Sequence, residues 1–509
     1  LSEQTAVVDP QRTKNIITGV RSLTIQNVVN SLLSTVFLAL LLRLLSPVEY
    51  GIYSAVVLVT LVGSSIASFG LQIAATRFVA FLSFDEGETR VVSRAILILS
   101  LAFASASTFA VVLLSPTLSM YFTKSTDSAW IFAASGAWLF TGSISGIFQG
   151  LVQGMKKYES LAKILMSAGS LMVGITVFGL LVFNSVLVPI IAWIVYGSVI
   201  CFWSLVVTRH AVRSNGNLAT DSRQLKQILK YSIPLGIAGI VTVATGAADP
   251  LVVGGVLSVT ELGAYNTAIA ISGGLGLIFF TPLNTAFLPE TSSRALDARK
   301  LSTGLRLAFR YSVLALIPVS LGLAALSTQM MDLFTGGGSS YLVANVSLQL
   351  MSVFFVFVAM QGIPTSILLS TGRTTQVMLI GIATVVMDIG LSELMVPSFG
   401  LVGAATSRIL VDLAGFVMTV YLTKSYFKNV VDVGFYAKVI ISSLIVFGVL
   451  ASLSEFVDDS LMSLIPYIFI GGGVLYLCVR LMGILTEEDK KYIEHFVPAK
   501  FGKLLRFFL

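Results

Sequence analysis

Residues 45–53, Leu-Ser-Pro-Val-Glu-Tyr-Gly-Ile-Tyr, return as residues 257–265, Leu-Ser-Val-Thr-Glu-Leu-Gly-Ala-Tyr, at a constant offset of 212. Leu, Ser, Glu, Gly and Tyr keep their register, and each copy is a short polar break between two long apolar runs. Each copy also holds Ser-x-x-Glu. In that capping box the Ser hydroxyl accepts from the backbone N–H three residues on, while the Glu carboxylate reaches back to the cap. Pro47 falls at the first helical position, where its missing N–H costs nothing. Both copies therefore read as the start of a membrane-spanning helix. The chain is two halves built on one plan.

Of the 509 residues, 56% are hydrophobic and 11% charged, against about a quarter charged in a soluble chain. The apolar runs are long enough for helices rather than barrel strands. Fourteen such runs lie between residues 20 and 484. Twenty-nine of the 32 Lys and Arg residues fall at alternate ends of these runs, leaving Arg43 and Lys124 on the opposite side and Arg408 within a run. Basic residues mark cytoplasmic loops, so both termini are expected in the cytoplasm. The formal charge of +7 follows this topology and points to no nucleic-acid partner. Residues 1–20 are polar and lack the pattern of a signal peptide. Cys201 and Cys478 both lie in apolar runs, and two cysteines cannot form a disulfide framework.

The expected organisation is an N-terminal lobe of six spans (1–208), a cytoplasmic linker (209–230) and a C-terminal lobe of six spans (231–430). Spans 13 and 14 (431–484) and a cationic, amphipathic tail (485–509) follow. Because six is even, the two repeats enter the membrane in the same sense, related by an axis along its normal. The tail mixes Lys and Arg with Phe and Leu, as suits an interfacial helix on an anionic leaflet.

Polar residues inside the spans are the candidate functional groups. Asn27, Asn30, Ser31 and Ser34 keep helical spacing and form one stripe on span 1. Such a stripe either lines a water-filled cavity or hydrogen-bonds to a neighbouring helix. Gln72 in span 2 and Asn284 in span 8 occupy equivalent places in the two halves, and Asn266 joins them as a candidate cavity residue. Arg77 lies near the cytoplasmic end of span 2, where snorkelling explains it without function, although guanidinium groups also suit phosphate. Asp249, Asp388, Arg408 and Asp412 are the intramembrane charges. Each needs a partner or water, since a charge at mid-bilayer costs on the order of 2.5–3.5 kcal/mol on insertion scales. Arg408 and Asp412 are spaced to pair along their own helix. Asp249 precedes Pro250, so a cap at a broken helix and a proton or cation site both fit it. Gly142, Gly146, Gly150 and Gly154 form a small-residue face on span 4, which reads as close helix packing within a lobe.

Other chemistry finds no footing. No phosphate-binding glycine loop occurs, and His210 and His495 stand apart from any metal-ligand cluster, so no metal or other cofactor is expected. Glu49 and Glu261 serve as caps, which leaves no catalytic residue to name.

The Leu-Ser-x-x-Glu-x-Gly-x-Tyr signature after span 1, Phe69-Gly70-Leu71-Gln72 through Ala75-Thr76-Arg77, and Phe287-Leu288-Pro289 resemble the oligosaccharide and polysaccharide flippases of the multidrug/oligosaccharidyl-lipid/polysaccharide (MOP) exporter superfamily. The resemblance covers nearly the whole chain. It implies an all-α, V-shaped transporter of the plasma membrane, with a cavity lined chiefly by spans 1, 2, 7 and 8. It implies a sugar on a polyprenyl phosphate or diphosphate as the substrate, turned from the cytoplasmic to the outer leaflet by alternating access, with H+ or Na+ as a candidate coupling ion. The family's span 2 arginine carries over to Arg77, and spans 13–14 are expected to offer a groove for the lipid tail. The chain is less cationic around its expected cavity than the related peptidoglycan-precursor flippases. A MATE-type drug/cation antiporter is the alternative; those typically have twelve spans and rely on membrane-embedded acids, whereas span 1 here has none.

Overall fold

In hydrocarbon every backbone N–H and C=O must be satisfied within its own segment, and apolar runs of this length can do that as helices. The computed structural model describes residues 10–81, 86–212, 222–274, 298–337, 339–426, 432–454 and 461–485, and these are almost entirely helical. Among them, ten helices are long and apolar enough to cross a membrane, or eleven if a bent pair is counted as one span. The chain forms two compact units, residues 1–263 and 264–509.

The first unit contains α1 (Pro10–Leu44), α2 (Pro47–Ser68), α3 (Leu71–Phe81), α4 (Glu86–Thr123), α5 (Ala129–Gly154), α6 (Tyr158–Phe183), α7 (Leu187–Val212) and α8 (Ser222–Val256). It also holds the start of α9 (259–274). Both capping boxes form. Glu49 N–H donates to Ser46 Oγ at 3.3 Å while Ser46 N–H donates to the Glu49 carboxylate at 3.2 Å. In the second copy the same pair of bonds measures 3.2 and 2.9 Å. The two copies also touch each other. A Cβ at Gly51 would run into the Val259 carbonyl oxygen, and one at Gly263 would lie 3.0 Å from Gly51 Cα. The closing tyrosines, Tyr53 and Tyr265, are both buried. Tyr53 accepts a hydrogen bond from Trp193 Nε1–H at 2.9 Å, and Trp138 stacks on Trp193 with ring centroids 5.3 Å apart. The repeated Ser, Glu, Gly and Tyr thus have packing or capping tasks.

The second unit continues with α10 (Ala298–Ala325), α11 (Ser327–Thr335), α12 (Asn345–Ser370), α13 (Thr374–Thr423), α14 (Val433–Ser454) and α15 (Leu461–Leu481). α10 and α11 meet at a 70° bend. α13 is two helical arms rather than one straight helix, because Gly400 has φ 56° and ψ −137° and folds the chain back. Ser392 and Ser407 hydrogen-bond across this hairpin at 2.8 Å. α14 docks on α10 and on its junction with α11, and α15 packs on α14, through two apolar clusters, Val313 with Phe435, Val439 and Ile484, and Leu326 with Val446, Leu450 and Tyr467. Arg310 of α10 fixes one end of that seam. Its guanidinium lies 3.7 Å from the Asp432 carboxylate, donates to the Ile484 carbonyl at 3.2 Å and covers the Phe435 ring at 4.2 Å.

These contacts set expectations for stability. Gly51→Ala should lower the thermal midpoint of the purified protein, whereas Gly174→Ala, which meets open space, should leave it in place. Ser258→Ala should cost about 1 kcal/mol through the lost cap. Equal shifts for both glycine variants would rule out backbone crossing as the reason for Gly51.

Candidate transport cavity

The apolar run of the second span is broken where Phe69 and Gly70 both take positive φ, 36° and 74°. The left-handed conformation is costly at Phe69 and free at Gly70. The break separates α2 from α3 and nests against α8. A Cβ at Gly70 would lie 2.6 Å from the Ser232 carbonyl oxygen, and one at Gly236 would lie 2.9 Å from the Phe69 carbonyl carbon. Pro234 sits between these two contact points and denies α8 one backbone donor there.

Beside this crossing lies a cavity of about 290 Å³. α2 contributes Leu61, Ser64, Ser65 and Ser68, and α3 contributes Gln72 and Ile73. Gly142, Ser143 and Gly146 come from α5; Leu235, Gly236, Gly239 and Val243 come from α8. The glycine face of α5 is what brings these walls together. Gly146 lies under Gln72, with its Cβ position 3.2 Å from Oε1. A Cβ at Gly150 would strike the Gln72 carbonyl oxygen, and one at Gly154 would lie 2.8 Å from Val79 Cβ. The packing expected of this stripe is present, and its first members also border the cavity.

Gln72 is the candidate residue that the structure sets in the cavity wall. Arg77, on the same helix, stacks its exposed guanidinium 4.2 Å above the Tyr231 ring of α8, and Phe78 meets the same ring edge-on at 5.7 Å. Asn27 and Ser34 are exposed on α1. Asn30 is half-buried and faces Gly169 of α6, where its Oδ1 has no hydrogen-bond partner among the described residues. Asn266 is half-buried on α9 in the second unit, and Asn284 lies outside the described residues.

The intramembrane charges divide between the units. Asp249 is fully buried on α8. The helix runs unbroken through Pro250 to Val256, so Asp249 occupies a helix interior rather than a helix end. Asp388 is buried on the first arm of the α13 hairpin and accepts from Ser392 Oγ at 3.3 Å. The antiparallel arms, registered by Ser392 and Ser407, carry Arg408 and Asp412 in the turns alongside.

Sequence reasoning did not find how α4 grips α8. Tyr121 Oη–H donates to the Leu251 carbonyl at 3.1 Å, and Lys124 donates to the Gly255 carbonyl. Both acceptors are carbonyls of the last helical turns, where a cation is favoured. Phe122 and Tyr121 lie directly over Gly254 and Gly255. The paired glycines and the lone Lys124 were the available signals, but only tertiary contact joins them.

A family model described as polysaccharide biosynthesis protein matches residues 40–345. The chain belongs to that family. It is 26% identical over 292 residues to a protein of Haloferax volcanii named "Probable low-salt glycan biosynthesis flippase Agl15"; the match spans 55% of this chain and 58% of that relative. In fold the chain is similar to the Lipid II flippase MurJ in an inward closed conformation, with a TM-score of 0.72 at 15% identity over 91% of this chain and 98% of that one. An inward-facing MATE transporter of the MOP superfamily aligns with a TM-score of 0.59 at 15% identity, over 81% and 99% of the two chains. The family expectation from the sequence is borne out, and the ten long apolar helices are those of a multi-pass membrane protein.

The α4–α8 grip is open to a direct check. Tyr121→Phe and Lys124→Ala should each raise deuterium uptake at residues 251–257 and leave α6 unchanged. Unaltered exchange there would mean that the aromatic packing alone holds the two helices.

Proposed function

We propose that this protein flips a lipid-linked oligosaccharide, a sugar on a polyprenyl phosphate or diphosphate, from the cytoplasmic to the outer leaflet for glycan export. The observation that carries this reading is the family match over residues 40–345 on a fold shared with a lipid-linked substrate flippase. The curated relative from Haloferax volcanii, itself named a glycan flippase, supports the same class.

The proposed architecture has fourteen spans, with two six-span repeats, spans 13 and 14 after them, and both termini in the cytoplasm. Its support is the duplicated capping signature, the fold-back at Gly400 that divides one long helix into two arms, and the distribution of basic residues. In this reading Gln72 faces substrate in the cavity. Arg77, five residues on and so about 7.5 Å farther along α3, is the guanidinium available to a phosphate. The span 1 stripe, including Asn30 with its unsatisfied Oδ1, presents further polar groups. Asp249, buried in the interior of α8, is the first residue to examine for H+ or Na+ coupling.

The test is reconstitution in liposomes with a labelled lipid-linked oligosaccharide, reading how much becomes accessible on the opposite face. Protein-dependent transfer is expected, reduced several-fold in Arg77→Ala and in Asn30→Ala. Absence of transfer, together with export of an organic cation against a proton or sodium gradient, would replace this reading with the antiporter.

A further inference from the structure

We infer that the cavity beside α8 receives an uncharged sugar ring and discriminates against acidic sugars, an inference that rests on the flippase reading. None of the described lining residues carries a charge. The nearest candidate cation on its wall helix, Arg77, is not among them and lies over Tyr231 instead.

The polar groups that remain have a definite character. Ser65 donates its hydroxyl proton to the Val62 carbonyl at 2.7 Å, Ser68 to the Ser65 carbonyl at 3.3 Å and Ser143 to the Leu139 carbonyl at 2.7 Å. With those protons committed, each hydroxyl offers a cavity occupant only oxygen lone pairs. Gln72 adds a carboxamide and Ser64 a hydroxyl, each able to donate and to accept. A carboxylate or phosphate only accepts hydrogen bonds. Here it would find only the Gln72 amide and the Ser64 hydroxyl as donors and no described counter-charge, a costly desolvation. A sugar hydroxyl both donates and accepts, so it satisfies the serine oxygens and the amide together. Between the polar groups lie Leu61, Ile73 and the bare backbone of the glycines, which suit the C–H face of a pyranose. A volume of about 290 Å³ is at the small end of ligand pockets, roughly 300–1,000 Å³, and suits one ring rather than a chain.

Two probes differing in one group test this: a short-chain polyprenyl diphosphate bearing a hexose, and the same carrier bearing the corresponding hexuronate. In proteoliposomes the hexose probe should cross at least tenfold faster. Gln72→Arg should narrow that ratio by admitting the acid. In parallel, binding of an octyl hexoside and an octyl hexuronide to the protein in nanodiscs should show the same order of affinity. Equal rates and equal affinities for the two probes would overturn the inference and leave the flippase reading standing. If neither probe crosses while the hexoside still binds in preference and Gln72→Arg abolishes that preference, the flippase reading fails and the cavity's selectivity stands. Preference unchanged in a well-folded Gln72→Arg protein would place the discrimination elsewhere and overturn the inference.

Discussion

Helices in a bilayer gain nothing from the hydrophobic effect by meeting one another, because lipid tails are as apolar as leucine. What holds them together is close van der Waals contact, and close contact requires places where two backbones approach without a Cβ between them. The first unit is built on such places. Gly51 admits the Val259 carbonyl, Gly150 admits the carbonyl of Gln72, and Gly70 and Gly236 interlock at the break between α2 and α3. Large residues at these points would separate α2 from α9, α3 from α5 and α3 from α8.

The cavity is a consequence of that packing. Gly146 and Gly150 hold α5 near enough to α3 for Gln72 to share its wall, while Gly236 and Gly239 keep the facing side of α8 flat. The break at Phe69–Gly70 turns the chain so that serines of α2 and the first turn of α3 border one space. A second set of contacts, Tyr121 and Lys124 on the carbonyls of α8, ties the far end of α8 to α4.

The second unit solves a different problem. α14 has an apolar seam to bury against α10, with α15 packed on α14, and Arg310 ends that seam with an ion pair, a carbonyl bond and a ring contact together. A guanidinium buried without such partners would be strongly destabilising. Asp388 is handled in the same spirit by Ser392 within the α13 hairpin.

Sequence by itself determined the membrane class, the family and the two helix starts. Long apolar runs allow only helices in lipid, and Ser46 with Glu49 and Ser258 with Glu261 form caps from neighbours three residues apart. Such signals are local, so the order of residues carries them. The glycine face of span 4 was legible too, because helical periodicity alone puts its four members in line. Tertiary structure decided which groups share a cavity. It kept Gln72 in the wall, turned Arg77 onto Tyr231 and Asn30 toward Gly169, and carried α8 intact past Pro250. Those outcomes depend on helix rotation and on contacts between residues more than a hundred positions apart, and sequence spacing sets neither.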